Sequence, residues 1–225
     1  MATISPELIV SVSGIRGIVG AGLTPSAALA FAQALGTYLK GGPIVLSRDS
    51  RPSGEMLRHA VLAGLTASGC VVHDLGIAPT PTVGLAVRRL NAAGAVQITA
   101  SHNPAPWNGL KLFGNDGAVL SAAKGAEIKQ LFDANAFSLV PHDRLGTITA
   151  VDNAIDWHRE RVLELVDVER VRRRAFHVLL DTNGGAGGPL GASLLSSLGV
   201  HVVTLGGAPD GNFAHPPEPL AENLT

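Results

Sequence analysis

The stretch AGAVQITASHNPAPWNGLKLF, residues 93–113, decides the fold and the candidate site. Its first seven residues favour a β-strand, and a regular pattern resumes only at LKLF, residues 110–113. Pro104 and Pro106 stiffen the connection between them, because each proline fixes its own φ angle and pushes its predecessor toward an extended conformation. The stretch therefore predicts a strand that delivers Ser101 into a rigid loop.

The composition of the 225-residue chain is that of a globular protein, with 46% hydrophobic and 16% charged residues. Its 17 basic and 18 acidic side chains give a net charge of -1, so we expect no nucleic-acid partner. Residues 1–14 lack the features of a signal peptide, and no apolar run reaches membrane-spanning length. The single cysteine, Cys70, is predicted to be a buried and inert thiol. We expect a cytoplasmic protein without a membrane partner.

Short β-branched runs alternate with helical patterns along the chain. Thr24 is a candidate N-cap and Pro25 a candidate first helical residue. The predicted helices lie in residues 23–40, 53–69, 82–91, 121–132, 152–174 and 192–199, and the predicted strands lie in residues 43–47, 70–76, 93–99, 176–181 and 200–206. This alternation predicts an α/β fold with a mixed, mainly parallel sheet and flanking helices.

The chain is predicted to divide near residue 150. Before that point, GNDG at 114–117 predicts a hairpin, because such residues tolerate the positive φ angles of tight turns. After it, one strand–helix–strand unit buries too little surface to form a domain by itself. Residues 1–150 are therefore predicted to form a first domain, and residues 151–225 part of a second α/β domain, so that the chain is a fragment.

Ser101 is predicted to lie just beyond the carboxyl end of a strand, where open α/β sheets bind their ligands. Asn108 and Gly109 are expected to turn the chain back and bring Lys111 to the same end of the sheet. A serine hydroxyl near a lysine and a histidine can accept and donate a phosphoryl group, because cations stabilise the charge on the transferring oxygens. The alternative is a turn in which Ser101 and Asn103 bond only to backbone groups.

Three further motifs favour a ligand site to different degrees. SGIRG places Arg16 between glycines, where a guanidinium can bind phosphate bidentately, or where Arg16 can simply pair with a carboxylate. RDSRPSG, residues 48–54, carries Asp49 and Arg51 after a strand, and an internal ion-pair lattice is as plausible there as ligand contact. GIAPTPTVG, residues 76–84, indicates a rigid connector.

Taken in order, SGIRG, RDSRPSG, PTP and TASHNPAPWNGLKLF resemble the first domain of the α-D-phosphohexomutases, the phosphoglucomutases, phosphomannomutases and phosphoglucosamine mutases. LLDTNGGAGG and PDGNFAHPPEPLAENL resemble the second domain, so the likeness covers essentially the whole chain. It implies that Ser101 is a phosphoserine that gives its phosphoryl group to a hexose monophosphate. Ser101 then recovers a phosphoryl group from the bisphosphate intermediate after that intermediate turns round, which moves phosphate between the C1 and C6 oxygens.

The resemblance also implies roles for individual residues. Arg16 and Lys111 match the basic residues that flank the transferring phosphoryl group. His102 and Asn103 match the neighbours that shape the phosphoserine pocket. Asp49 and Arg51 match residues that support the loop. Through its phosphate, Ser101 matches one ligand of an Mg²⁺ ion, and a hexose 1,6-bisphosphate is the expected activator. The matching positions are Ser101, Arg16, Lys111 and His102 for catalysis, and Asn103, Asp49 and Arg51 for substrate or phosphate binding.

The sequence departs from the family in lacking its Asp-Gly-Asp-x-Asp-Arg magnesium loop, and nowhere do three aspartates lie close together. The sugar-recognition loop of the third domain and the phosphate-binding loop of the fourth are also missing. Because metal charge offsets the negative charge that develops in phosphoryl transfer, these 225 residues alone are expected to be inactive. Trp107 favours a phosphomannomutase or phosphoglucomutase. A phosphoglucosamine mutase and a non-catalytic protein that binds sugar phosphates stay open.

Overall fold

The computed structural model describes residues 8–218 and 220–223, so the expectations for the first seven residues and the last two lie outside it. The strands of the described part are β1 (Ile9–Ser11), β2 (Gly14–Ile18), β3 (Ile44–Arg48), β4 (Val72–Ile77), β5 (Gly94–Ile98), β6 (Trp107–Gly114), β7 (Ile148–Ala150), β8 (His177–Asp181) and β9 (His201–Leu205). The helices are α1 (Pro25–Tyr38), α2 (Ser53–Ala67), α3 (Thr80–Arg89), α4 (Ala122–Asp133), α5 (Ala154–Leu163), α6 (Val168–Arg172) and α7 (Gly188–Ser197), with short 3-10 turns at His142–Arg144 and Ala221–Asn223.

The main sheet has the strand order β1-β2-β6-β5-β3-β4-β7. The ladders β3–β4, β3–β5 and β4–β7 are parallel, whereas β1–β2, β2–β6 and β5–β6 are antiparallel. As a result β2, β5, β3, β4 and β7 run in one direction, and β1 and β6 run against them. The prediction of a mixed, mainly parallel α/β sheet with flanking helices is confirmed.

Helices cover both faces of this sheet. Successive strand residues point to opposite sides, so each strand contributes side chains to both cores. One face buries Leu46, Ile98 and Leu110 under α1, α2 and α4. The other buries Val45 and Ala95 under α3 and the start of α5. Each side chain buried in this way stabilises the fold by about 1.5–3 kcal/mol for the larger aliphatic residues. The two cores hold the strand ends rigidly at the edge where the candidate site lies.

Helix α1 begins as the sequence predicts. The Thr24 hydroxyl accepts a hydrogen bond from the Ala27 amide at 3.2 Å, and Pro25 is the first helical residue. Helix α4 follows Ser121 at its predicted position, but the Ser121 side chain accepts no capping hydrogen bond. Helix α4 therefore begins where the sequence predicts, but without a side-chain cap.

Asn108 and Gly109 lie inside β6 rather than in a turn, so the predicted reversal at these residues is wrong. The reason is that β6 pairs with β2 on one side and β5 on the other. The chain reverses earlier, where the Trp107 amide donates to the Pro104 carbonyl at 3.0 Å. Gly109 serves close packing instead, since an added Cβ would lie 2.4 Å from the Ile15 carbonyl oxygen.

Two further segments differ in detail from their predictions. The predicted hairpin after β6 is reduced to one bridge, Phe113 to Val119, closed by a turn in which Gly117 has a φ of 76°. The charged segment 152–174 forms two helices, α5 and α6, rather than one. Asp167 separates them because its carboxylate caps α6 by accepting from the Arg170 amide at 2.9 Å.

Strands β8 and β9 form a separate two-stranded parallel sheet with α7 as its crossover. One face of this second sheet is open among the described residues, where Leu179 and Val203 are 64% and 63% exposed. The predicted division of the chain near residue 150 stays a prediction. Among the helices of the described ranges, none combines the length and apolar character needed to span a bilayer.

Candidate active site

Ser101 lies three residues beyond the end of β5, in the loop that connects β5 to β6. Its side chain is exposed, and its φ of 58° places it in the left-handed region that few residues other than glycine adopt. Such a conformation costs energy and persists only where the surroundings hold it. The loop residues therefore need a brace, and two sets of hydrogen bonds provide it.

The first brace is the Arg51 guanidinium, which is 1% exposed and donates to four carbonyl oxygens of the Ser101 loop. Nη1 donates to Pro104 at 2.9 Å and Trp107 at 3.2 Å, and Nη2 donates to Ser101 at 3.1 Å and Asn103 at 2.6 Å. A planar guanidinium can reach four acceptors at once because its donors point outward in one fork. Its donors are therefore occupied by the loop rather than available to a phosphate.

The second brace is a chain of hydrogen bonds from Asp49 to the Ser101 amide. The Asp49 carboxylate accepts from Arg51 Nε at 3.2 Å and from the Thr99 hydroxyl at 2.7 Å. The Thr99 oxygen in turn accepts from the Ser101 amide at 3.0 Å. Burial lowers the pKa of the Arg51 guanidinium, and the charge of Asp49 opposes that shift. Asp49 and Arg51 thus form the internal lattice that was one of their two expected roles.

Arg16 and Lys111 reach the same cavity as Ser101, on one face of the sheet. In the β2–β6 ladder Lys111 is opposite Gly14 and Arg16 is opposite Gly109, so the two side chains are diagonal neighbours on that face. The three residues line a cavity of about 250 Å³, called here the cationic cavity. It contains no acidic residue among the described residues that line it.

The two cations of this cavity have no carboxylate partner in the described part of the chain. Neither Arg16 nor Lys111 takes part in a salt bridge or side-chain hydrogen bond there, although both side chains are half-buried. Elsewhere in that part, arginines such as Arg58 and Arg161 pair with carboxylates. Two unpaired cations beside an exposed hydroxyl make the cationic cavity attractive to an anion.

His102 and Asn103 flank Ser101 in different ways. His102 is exposed, and its Nδ1 lies 3.3 Å from the Ser101 oxygen. Asn103 instead stabilises the turn, because its amide and its side-chain Nδ2 both donate to the Ala100 carbonyl, at 3.1 and 2.9 Å. The geometry therefore brings His102 to the hydroxyl and turns the Asn103 side chain toward the backbone.

Ser101 also faces a second cavity of about 460 Å³, called here the interunit cavity. On one side it is lined by loops of the main sheet, including Asp49 and His102. On the other side it is lined by the loop after β8 and by residues near His215. Four further residues line this cavity: Thr99, Asp181, Phe213 and His215. None of them is predicted as a site residue, although each lies inside a motif that resembles the family: Thr99 in TASHNPAPWNGLKLF, Asp181 in LLDTNGGAGG, and the other two in PDGNFAHPPEPLAENL.

Two family models match the chain in order. Residues 8–139 match "Phosphoglucomutase/phosphomannomutase, alpha/beta/alpha domain I", and residues 157–225 match the corresponding domain II. The chain belongs to the phosphoglucomutase/phosphomannomutase family. This places Ser101 and the cationic cavity in the part that matches domain I, and His215 in the part that matches domain II.

Individual relatives agree with the family assignment. A protein named probable phosphoglucosamine mutase from Pyrococcus abyssi is 38% identical over 95% of this chain and 46% of its own length. A phosphoglucomutase/phosphomannomutase from Thermococcus kodakarensis is 41% identical over 94% of this chain and 47% of its own length. A crystal structure of a phosphoglucomutase/phosphomannomutase family protein from Burkholderia thailandensis has a TM-score of 0.74 and 27% identity, covering 92% of this chain and 45% of that one. The chain thus spans about half the length of the curated relatives it matches.

Magnesium is the metal typical of the phosphoglucomutase/phosphomannomutase family. In residues 8–218 and 220–223, no group of three or more His, Cys, Asp or Glu side chains is arranged to hold a metal ion. Because Mg²⁺ needs several oxygen ligands in near-octahedral geometry, the described residues do not form a complete magnesium site. Cys70 is also unsuited to chemistry, since burial raises the pKa of its thiol to about 11.

Proposed function

We propose that this chain belongs to a phosphohexomutase, an isomerase in which Ser101 carries the phosphoryl group. The observation that carries the proposal is the cationic cavity, where an exposed hydroxyl on a braced loop meets two cations without carboxylate partners. An ordinary turn serine would not need Arg51 to hold four carbonyls around it. Family membership supports the same reaction type.

In the proposed reaction, phosphorylated Ser101 transfers its phosphoryl group to a free hydroxyl of a hexose monophosphate. The bond between the Ser101 oxygen and phosphorus breaks, a bond between the sugar oxygen and phosphorus forms, and the proton of the sugar hydroxyl passes to the Ser101 oxygen, which leaves a serine hydroxyl. The bisphosphate then turns round and returns its other phosphoryl group to Ser101, while the proton of the Ser101 hydroxyl passes to the released sugar oxygen. Arg16 and Lys111 stabilise the charge on the transferring oxygens, and either can assist the proton movement. His102, at 3.3 Å, is placed to hydrogen-bond with the Ser101 hydroxyl.

The substrate proposed for the whole protein is a hexose phosphate, with a hexose 1,6-bisphosphate as activator. Trp107 supports a phosphomannomutase or phosphoglucomutase, whereas the name of the Pyrococcus abyssi relative supports a phosphoglucosamine mutase as the alternative. We also propose a cytoplasmic enzyme without nucleic-acid or membrane partners. The net charge of -1 argues against a nucleic-acid partner, and the single Cys70, which cannot form an internal disulfide, fits a reducing interior. Mg²⁺ remains part of the proposal, with the Ser101 phosphate as one ligand and the other ligands supplied from outside the described residues.

A second candidate function is binding of sugar phosphates without turnover. The lack of a three-ligand metal cluster in the described ranges favours it for these 225 residues on their own. The two functions differ in one respect: only phosphoryl transfer leaves a covalent phosphate on Ser101.

The test is intact-mass spectrometry of the whole protein to which this chain belongs, after incubation with a hexose 1,6-bisphosphate and Mg²⁺. We expect the whole protein to gain one phosphate, and its Ser101→Ala variant to gain none. Ser138→Ala is the matched control, because Ser138 is an exposed serine outside the cationic cavity. A chain that binds the bisphosphate but gains no phosphate would support the binding function instead.

The role of Lys111 is tested in the same experiment by measuring the rate of phosphate gain. Lys111→Met is expected to slow it by about 10²–10³-fold, the usual effect of removing one group that stabilises transition-state charge. Lys124→Met is the control, since Lys124 is exposed on α4 and away from the cavity. Equal rates for the two variants would remove Lys111 from the mechanism.

A further inference from the structure

Residues 210–217 contact both the loop after β8 and Arg51, the arginine that hydrogen-bonds with the Ser101 loop. Arg51 Cζ lies over the ring of Phe213, a residue of this segment, at 5.2 Å from the ring centroid. Gly211 packs against the same stretch, because an added Cβ would lie 2.4 Å from the Ser50 carbonyl oxygen. The φ of Gly211 is 72°, so its backbone also favours glycine. The segment therefore packs closely on residues 50 and 51.

The other side of the segment is fastened to the loop after β8. The Gly211 amide donates to the Gly184 carbonyl at 3.0 Å. The Asn183 side chain makes two hydrogen bonds with the backbone of His215, accepting from its amide at 3.2 Å and donating to its carbonyl at 2.9 Å. His215 Nε2 lies 3.0 Å from an Asp181 carboxylate oxygen. These contacts fix the position of Phe213 relative to the second sheet.

The contact between Phe213 and Arg51 complements the hydrogen bonds of the guanidinium. Four loop carbonyls and Asp49 are bound through N–H groups, which lie in the plane of the guanidinium. The contact with Phe213 uses none of these donors, and a cation over a ring face is attracted to it.

From this juxtaposition we propose that Phe213 is a positioning residue for the Ser101 loop and acts through Arg51. The second sheet thereby helps to hold the left-handed backbone of Ser101, although it donates no hydrogen bond to the loop itself. The proposal rests on the proposed function only in taking Ser101 as the residue that must be positioned.

The test is hydrogen–deuterium exchange of the hydrogen-bonded loop amides, those of Ser101, Asn103 and Trp107, in the whole chain without any sugar phosphate. In Phe213→Ala we expect these amides to exchange about fivefold faster, as loss of a partly buried cation–π contact implies. Phe213→Tyr retains the ring face and is expected to restore the wild-type rate, whereas Phe213→Leu retains apolar bulk alone and is expected to stay fast. Phe176→Ala is the control, because Phe176 is a half-exposed phenylalanine just before β8 that makes no contact with Arg51.

Unchanged loop exchange in Phe213→Ala would overturn the proposal. So would an equal acceleration of the amides of α1, because that pattern means a general loss of stability. Full rescue by Phe213→Leu would also overturn it, since apolar packing would then suffice. Failure of Ser101 to accept phosphate is a separate result, because the exchange measurement uses no phosphoryl donor.

Discussion

Arg51 is the residue on which the geometry of the candidate site depends most. It is buried, yet it is charged, and its N–H groups meet Asp49 and four carbonyl oxygens of the Ser101 loop. Burying a charge is costly unless it is paired and hydrogen-bonded, and here both conditions hold. The left-handed conformation of Ser101 is the local strain that this arrangement maintains.

Replacing Arg51 by methionine is expected to lower the free energy of unfolding by about 3–5 kcal/mol, because Asp49 loses its partner and the loop carbonyls lose their donors. Arg51→Lys keeps the charge without the fork, and a loss of about 2 kcal/mol is expected. Urea denaturation measures both. Arg161→Lys, at an exposed pair with Glu164, is the control and should change stability by less than about 0.5 kcal/mol. Equal losses at the two positions would contradict the role given to Arg51.

The N-termini of α1 and α4 and the strand β6 show how far a local sequence pattern predicts structure by itself. Both α1 and α4 follow a residue suited to the N-cap, but only Thr24 turns its hydroxyl onto a helix amide. The residue type therefore predicts where a helix begins better than it predicts a particular hydrogen bond. The same limit applies to β6, where Asn108 and Gly109 resemble a turn and yet lie in a ladder between two strands.

Thr24→Ala is expected to lower the free energy of unfolding by about 1 kcal/mol, since α1 loses a capping hydrogen bond. Ser121→Ala removes a serine from the equivalent position of α4, where the side chain makes no cap, and is expected to cost less than about 0.5 kcal/mol. Thermal or urea unfolding distinguishes the two. A larger loss in Ser121→Ala than in Thr24→Ala would refute the difference between these caps.

On the scale of the whole molecule, contacts distant in sequence join the second sheet to the Ser101 loop. Asp181 and His215 are 34 residues apart in the chain, and both line the interunit cavity with Ser101. Both nitrogens of the His215 ring face acceptors, the Asp181 carboxylate and, at 3.3 Å, the Pro216 carbonyl. Only the protonated ring can donate to both, so this geometry favours the imidazolium.

The hydrogen bond and charge of Asp181 raise the pKa of His215, and the hydrogen bond from His215 lowers the pKa of Asp181. The His215 contribution is complete below its unfolded-state pKa and is lost as the pH rises through its raised folded-state pKa. The Asp181 contribution is lost as the pH falls through its lowered pKa. The pair should therefore stabilise segment 210–217 most between these two pKa values. An NMR titration of His215 should show a pKa above about 6.5 that falls in Asp181→Asn. Identical titrations in both proteins would contradict the pairing.

Much of the fold could be predicted because it depends on patterns that are local in sequence. The predicted helices and strands recur in the structure, except that the hairpin after β6 is short and that residues 152–174 form two helices rather than one. Ser101, Arg16 and Lys111 were found from motifs, and the sheet places them around one cavity. The contacts of Phe213 and His215 could not be found in this way, since their partners, Arg51 and Asp181, are remote in sequence.

The amino-acid sequence by itself determined the α/β class, the family resemblance and the loop that carries Ser101, because hydrophobic periodicity, proline and capping residues act over a few neighbours. Only the tertiary structure decided that β6 runs between β2 and β5 and that Arg51 is used inside the loop. It also decided that Phe213, in the segment that is hydrogen-bonded to the loop after β8, contacts Arg51. These outcomes depend on which strands pair and which groups lose water together, and both are settled when distant segments pack.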